Sequence, residues 1–170
     1  MANVVIKRHV AAFNIDTYNR SVIAATDLEN GSVFTLDAKD ANEKMCWTPT
    51  APAANATGLW MATSPEVVYV NKTQGLTVDP RDFVNKAGRV IDAIFLNVGD
   101  LIEMTGDGIA DIATNGYLVP DADKFVLKSA NEAPAAGCYL KKVETSVLHI
   151  GEGGIAPTAV PTYIFEVKAN

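Results

Sequence analysis

Apolar and polar positions alternate with a period of two along most of the chain, the spacing of half-buried strands rather than of amphipathic helices. In residues 162–168, Tyr163, Phe165 and Val167 alternate with Thr162, Ile164, Glu166 and Lys168. In 142–150, Val143, Thr145, Val147 and His149 share one face. In 124–128, Lys124, Val126 and Lys128 alternate with Phe125 and Leu127, and 66–71 form a β-branched and aromatic run. Residues 21–27 and 32–37 flank Glu29-Asn30-Gly31, and Asn-Gly between apolar runs predicts a hairpin. Asp79-Pro80-Arg81-Asp82 supplies a cap, a first-turn proline and an acidic first turn. This predicts a short helix over 80–87, stopped at Gly88 and followed by a strand over 89–96. A polar, helix-tolerant turn follows at 39–44, and Gly99-Asp100 turns into a strand over 101–105 with Ile102 and Met104 on one face. Residues 49–56 and 151–161 have no period and are expected as loops. Some strands are near-continuously apolar, so both of their faces are expected to be covered.

The pattern predicts a mainly β protein: an antiparallel sandwich or barrel-like domain of about eight or more strands, with one short helix. Residues 1–20 are read as an extended N-terminal arm, and 21–170 as a single β-rich domain. In 170 residues, 48% hydrophobic and 20% charged, there is enough apolar material for a core and no run long enough to span a membrane. Lys7, Arg8 and His9 interrupt the first apolar residues before a signal-peptide core can form, so a cytoplasmic origin is expected. The net charge of −6 is uneven. Residues 1–20 carry Lys7, Arg8 and Arg20 against Asp16, a net of +2, which leaves −8 on the rest. Only Lys141-Lys142 is an adjacent basic pair outside the arm, which argues against a nucleic-acid partner.

The usual chemistry is missing. His9 and His149 have no His or Cys partner nearby in sequence, so no metal site is expected. Gly106-Asp107-Gly108-Ile109-Ala110-Asp111 has calcium-loop residues, but Ile109 and Ala110 occupy ligand positions, so a turn with solvated acids is expected. Gly151-Glu152-Gly153-Gly154 lacks the following Lys-Ser/Thr of a phosphate loop. Cys46 and Cys138 are expected as two buried thiols, and the sequons at Asn19, Asn30, Asn55 and Asn71 as chance. No nucleophile has a base beside it, so neither an enzyme nor a cofactor is expected. Trp47 and Trp60 flank the Pro/Ala loop and could form a platform for a sugar.

Residues 74–108, QGLTVDPRDFVNKAGRVIDAIFLNVGDLIEMTGDG, resemble small β-rich proteins of tailed bacteriophages called decoration, cement or auxiliary head proteins. The shared features are the Asp-Pro-Arg-Asp-Phe start, the Asn-Lys-Ala-Gly-Arg turn and the Asn-Val-Gly-Asp lead into the next strand. The leading MANVVIKRHV is also similar. The resemblance implies a virion protein that binds the outer surface of the assembled capsid and stabilises it. Its partner would be the major capsid protein, and it would act as a homo-oligomer, with a trimer favoured. On this reading the capsid-binding residues are Val4, Val5, Ile6, Lys7, Arg8 and His9. The first three would give strand-pairing and apolar contacts, and Lys7 and Arg8 would pair with acidic capsid groups. Deletion of residues 2–10 is then expected to abolish capsid binding and leave the body folded. The alternatives are another virion component (tail-tube, head-fibre or capsid subunit) or a soluble carbohydrate-binding β module.

Overall fold

The computed structural model describes residues 1–66, 69–70, 73–74, 79–151 and 157–170. Its strands, in chain order, are β1 (Val5–His9), β2 (Asn19–Ile23), β3 (Val33–Lys39), β4 (Cys46–Thr50), β5 (Trp60–Ala62), β6 (Tyr69–Val70) and β7 (Thr73–Gln74). They continue with β8 (Val90–Phe95), β9 (Leu101–Met104), β10 (Tyr117–Pro120), β11 (Leu127–Ala130), β12 (Tyr139–Ile150) and β13 (Thr158–Ala169). Five strands close a barrel in the order β2-β4-β3-β5-β8. Six form a sheet in the order β1-β9-β13-β12-β10-β11, and β6 pairs with β7 alone. All pairings are antiparallel except β2 with β4. The chain is mainly β and barrel-like, as its periodicity requires.

Alternation within the barrel wall builds two cores. Phe34, Ala62, Ile91 and Ala93 join Val22, Ala24 and Leu28 in one cluster. Their neighbours Val33, Met61 and Ile94 join a second cluster with Val5, Ile102, Met104, Leu118, Leu140, Phe165 and Val167 of the sheet. Successive residues of a strand point to opposite faces, so β3, β5 and β8 each serve both clusters. The near-continuous apolar runs are therefore two-sided strands. Asn170 fastens the end of β13 to this wall: its side-chain oxygen accepts from the Leu59 N–H at 2.7 Å, and its amide nitrogen donates to the Leu96 carbonyl at 2.6 Å.

Several local expectations change under tertiary contact. The Asn30-Gly31 turn does not make a hairpin, because β2 pairs with β4 and β8 rather than with β3. A type I′ hairpin turn needs positive φ at both central residues; Gly31 has φ +83, while Asn30 is not among the positive-φ residues. Asn30 is instead buried, with its amide nitrogen donating to the Ser64 carbonyl at 2.7 Å and to Glu66 Oε1 at 2.8 Å. Its oxygen accepts from the Ser64 N–H and from the Asn85 amide, each at 3.1 Å. This burial also removes Asn30 as a glycan acceptor.

The helix over 80–87 shrinks to a 3-10 turn at Pro80–Asp82. Asp79 caps it as expected, accepting from the Arg81 N–H at 2.9 Å. Phe83 is already extended at φ −72 and ψ 132, because Leu28 and Asn85 exchange two backbone hydrogen bonds that draw the chain into a β-bridge. At 39–44 the Asp40 carboxylate accepts from the Asn42 and Glu43 amides, which holds a turn and no helix. The face carrying Val143 and Val147 is exposed, since β12 is in register with β10 only at Leu140 and Lys141, then runs along β13 alone, and from Ser146 on the two form a two-stranded ribbon. The expected run at 66–71 lies partly outside the described residues, as do 152–156 of the expected loop at 151–161.

The two-sided wall predicts that Met61→Ala costs about 2–5 kcal/mol, read as a lower urea midpoint with unchanged slope. The Arg81 guanidinium holds the Asp79 carboxyl below its usual pKa. A depressed folded pKa stabilises the fold above the unfolded value of about 4 and loses that contribution as pH falls through the folded value. Asp79→Ala is therefore expected to cost about 1 kcal/mol at pH 7. The gap to the parent should narrow below about pH 4 in denaturant titrations run across pH.

Candidate functional site

Of the expected arm, residues 1–10 are extended but lie on the body as part of it, 11–18 hold two 3-10 turns, and Asn19 and Arg20 open barrel strand β2. β1 is an outer strand of the six-stranded sheet, with Val5 opposite Met104 and Lys7 opposite Ile102. Ahead of the strand, the Val4 N–H donates to Thr105 Oγ1 and the Thr105 N–H donates to the Val4 carbonyl, each at 3.2 Å. On the other rim, the Val5 N–H donates to Glu66 Oε1 at 3.3 Å. Beyond it, Lys7 to His9 have no neighbouring strand on that rim among the described residues.

The six candidate residues divide by face. Val4 and Val5 are buried in this chain, and Ile6 is half-buried. Lys7 shares the face of Val5 but lies where the core ends, with its ammonium 6.0 Å from the centre of the Phe13 ring. Arg8 points to the opposite face and pairs with Glu103, which is 1% exposed and also accepts from the Thr162 hydroxyl. His9 is exposed after a bulge between Lys7 and His9. The strand thus contributes apolar residues to its own fold and leaves a basic end, Lys7-Arg8-His9, at the surface. Because Ala2, Val4, Val5 and Val10 are all buried, removing residues 2–10 would strip part of the core as well as any partner contact.

Beside β1 opens a polar groove of about 310 Å³, lined among others by Lys7, Asp16, Asn19, Arg20, Thr63 and Asp92. A second hollow of about 360 Å³ shares Asp16, Asn19 and Arg20 and continues to Lys39, Met45 and Trp47. The wall between them mixes both signs of charge, which suits a polar protein surface better than a single phosphate or a nucleic-acid strand.

The two tryptophans are half-buried barrel residues that pack against its core. Trp60 is covered by the Arg20 guanidinium at 5.5 Å and meets Phe95 edge-on at 5.3 Å, and Trp47 lies under the Lys39 ammonium at 5.8 Å. A sugar stacking there would have to displace those cations.

Cys46 and Cys138 are both free and buried, and burial pushes the Cys138 thiol up to about 12, which removes it as a nucleophile at neutral pH. Cys46 lies in the barrel and His149 on the exposed ribbon, so the two belong to different sheets. Among the described residues no three His, Cys, Asp or Glu side chains come together as a metal centre.

Sequence reading missed the buried Glu103, which sits in Leu101–Met104 at a position that alternation assigns to solvent. Its partners lie 95 and 59 residues away, so no local signal could have exposed it. Compared with known protein families, curated proteins and solved structures, the chain gives no match in any of the three.

Arg8→Ala leaves the Glu103 carboxylate buried without its cation, and is expected to destabilise the fold by roughly 1–3 kcal/mol in urea titrations. Lys7→Ala, which breaks no ion pair or hydrogen bond of the described residues, should shift stability by less than about 0.5 kcal/mol.

Proposed function

We propose that this protein is a virion structural protein that binds the outer surface of an assembled phage capsid and stabilises it. The observation that carries the reading is the outer strand β1, which among the described residues has no neighbouring strand along one rim at its far end and presents Lys7, Arg8 and His9 there. The resemblance of residues 74–108 to phage head-decoration proteins supports it, with 75–78 of that stretch outside the described residues.

An open strand rim offers main-chain hydrogen bonds to an extended segment of a partner. The basic end would steer it toward an acidic patch of the major capsid protein. Lys7 and His9 are the side chains free to reach across, and Arg8 contributes its exposed half. Val4, Val5 and Ile6 act from beneath by holding the strand in place. The acidic remainder of the molecule keeps free copies soluble and mutually repelling until they dock. Repetition over a symmetric shell then multiplies a modest single-site affinity, above all if the protein acts as a trimer. The reading makes it a component of the virion with no catalytic step.

The test is co-sedimentation with capsids that lack the protein, followed by heating of the loaded shells. The parent protein should co-sediment and raise the temperature at which shells break. Lys7→Glu combined with His9→Glu should weaken binding about tenfold or more, with a melting temperature within a few degrees of the parent. Full binding by that double variant would remove β1 from the interface. Failure of the parent protein to bind shells would remove the function itself.

A further inference from the structure

One corner of the molecule holds two buried oxygen atoms without hydrogen-bond partners. Asn3 is 9% exposed, and its Oδ1 is buried with no donor; Asp107 Oδ2 is in the same condition. Both residues line one cavity of about 110 Å³, together with Glu29, Gly31 and Gly108. Buried polar atoms are almost always satisfied, so two orphaned acceptors on residues that line one small space call for an occupant.

Neither oxygen is free to swing away. The Ala2 N–H donates to the Arg81 carbonyl at 2.7 Å and the Val4 N–H to Thr105 Oγ1, so residue 3 is held from both sides. The 29–32 turn closes over it: a side chain on Gly31 would begin 3.6 Å from the Asn3 Cβ. Asp107 sits between Gly106 and Gly108, with φ +78 and +77, and a side chain on Gly106 would run into Ile112 at 2.6 Å. The two glycines let the loop take the backbone path that places Asp107 on the cavity wall.

Charge decides between a donor and a cation. Arg81 lies in the field of Asp79, Asp82 and Asp107, and its hydrogen bonds go to Asp79, while Asp107 Oδ1 is 3.9 Å from its guanidinium. Asp79 takes up the hydrogen bonds of Arg81, and the carboxylates on the cavity wall are Asp107 and Glu29. The donors are all oxygen, two carboxylates and an amide, with no His or Cys, which is the ligand chemistry of a hard cation. We propose that Asn3, Asp107 and Glu29 bind a calcium ion in this cavity, with water completing its shell. Calcium fits better than magnesium because it accepts an irregular set of six to eight oxygens. The space, equal to about three or four waters at ~30 Å³ each, holds one ion with part of its hydration. The ion would tie the segment leading into β1 to the 29–32 turn and the 106–108 loop. This inference stands apart from the capsid reading.

The experiment is calcium chloride titration of the chelator-treated full chain by calorimetry, with melting followed at each concentration. One saturable site and a melting temperature that rises with calcium are expected. Asp107→Asn should weaken binding about tenfold or more, and Glu29→Gln, at an exposed position that leaves the fold intact, should weaken it several-fold. No heat and no calcium-dependent rise in melting would mean that water alone fills the cavity and would overturn the proposal. Equal calcium affinity in the parent and the Glu29→Gln or Asp107→Asn protein would overturn it as well.

Discussion

Three short strands that bury both of their faces determine the architecture. In β3, β5 and β8, Val33, Met61 and Ile94 face the six-stranded sheet while Phe34, Ala62 and Ala93 face the barrel interior. A register slip of one residue in any of them would exchange the two sets and ruin both cores together. The inner set, completed by Ile91, spends two of its positions on alanine, because a barrel of five strands encloses little volume. The outer set is larger and meets Ile102, Met104 and Phe165 across the layer. Two clusters sharing one wall make the barrel and the sheet a single cooperative body.

Buried polar side chains fix how the pieces meet. Asn30 ties the 30–32 turn to Ser64, Glu66 and Asn85. Asp100 accepts from the Ala11 N–H at 2.9 Å and from the Asn97 N–H at 3.0 Å, joining the start of the chain to the β8–β9 turn. Glu103 brings together β1 and β13 through Arg8 and Thr162. Such contacts add modest net stability, but each would leave a buried group unpaired in a shifted arrangement. They penalise alternatives more than they strengthen the native state.

The N-terminal strand has a double character. Val4 and Val5 belong to the interior and cannot be lent to a partner without cost, whereas Lys7 and His9 take no part in the core. A strand that its own sheet already holds extended is preorganised: little of its chain entropy remains to be lost in any further backbone pairing.

By itself the sequence determined the β class, the strands near 90–95, 101–104 and 162–168, the Asp79 cap and the two buried thiols. These follow from alternation and from residues whose preferences act within a few positions. Only the tertiary structure decided that Asn30-Gly31 is a buried clamp, that the helix after Pro80 gives way to a bridge with Leu28, and that Val143 and Val147 lie beyond the core. It alone decided that Glu103 is interior and that Asn3 and Asp107 share a cavity. In each case the deciding partner is tens of residues away or more. Periodicity reports which side chains share a face, but carries no information about what will be packed against it.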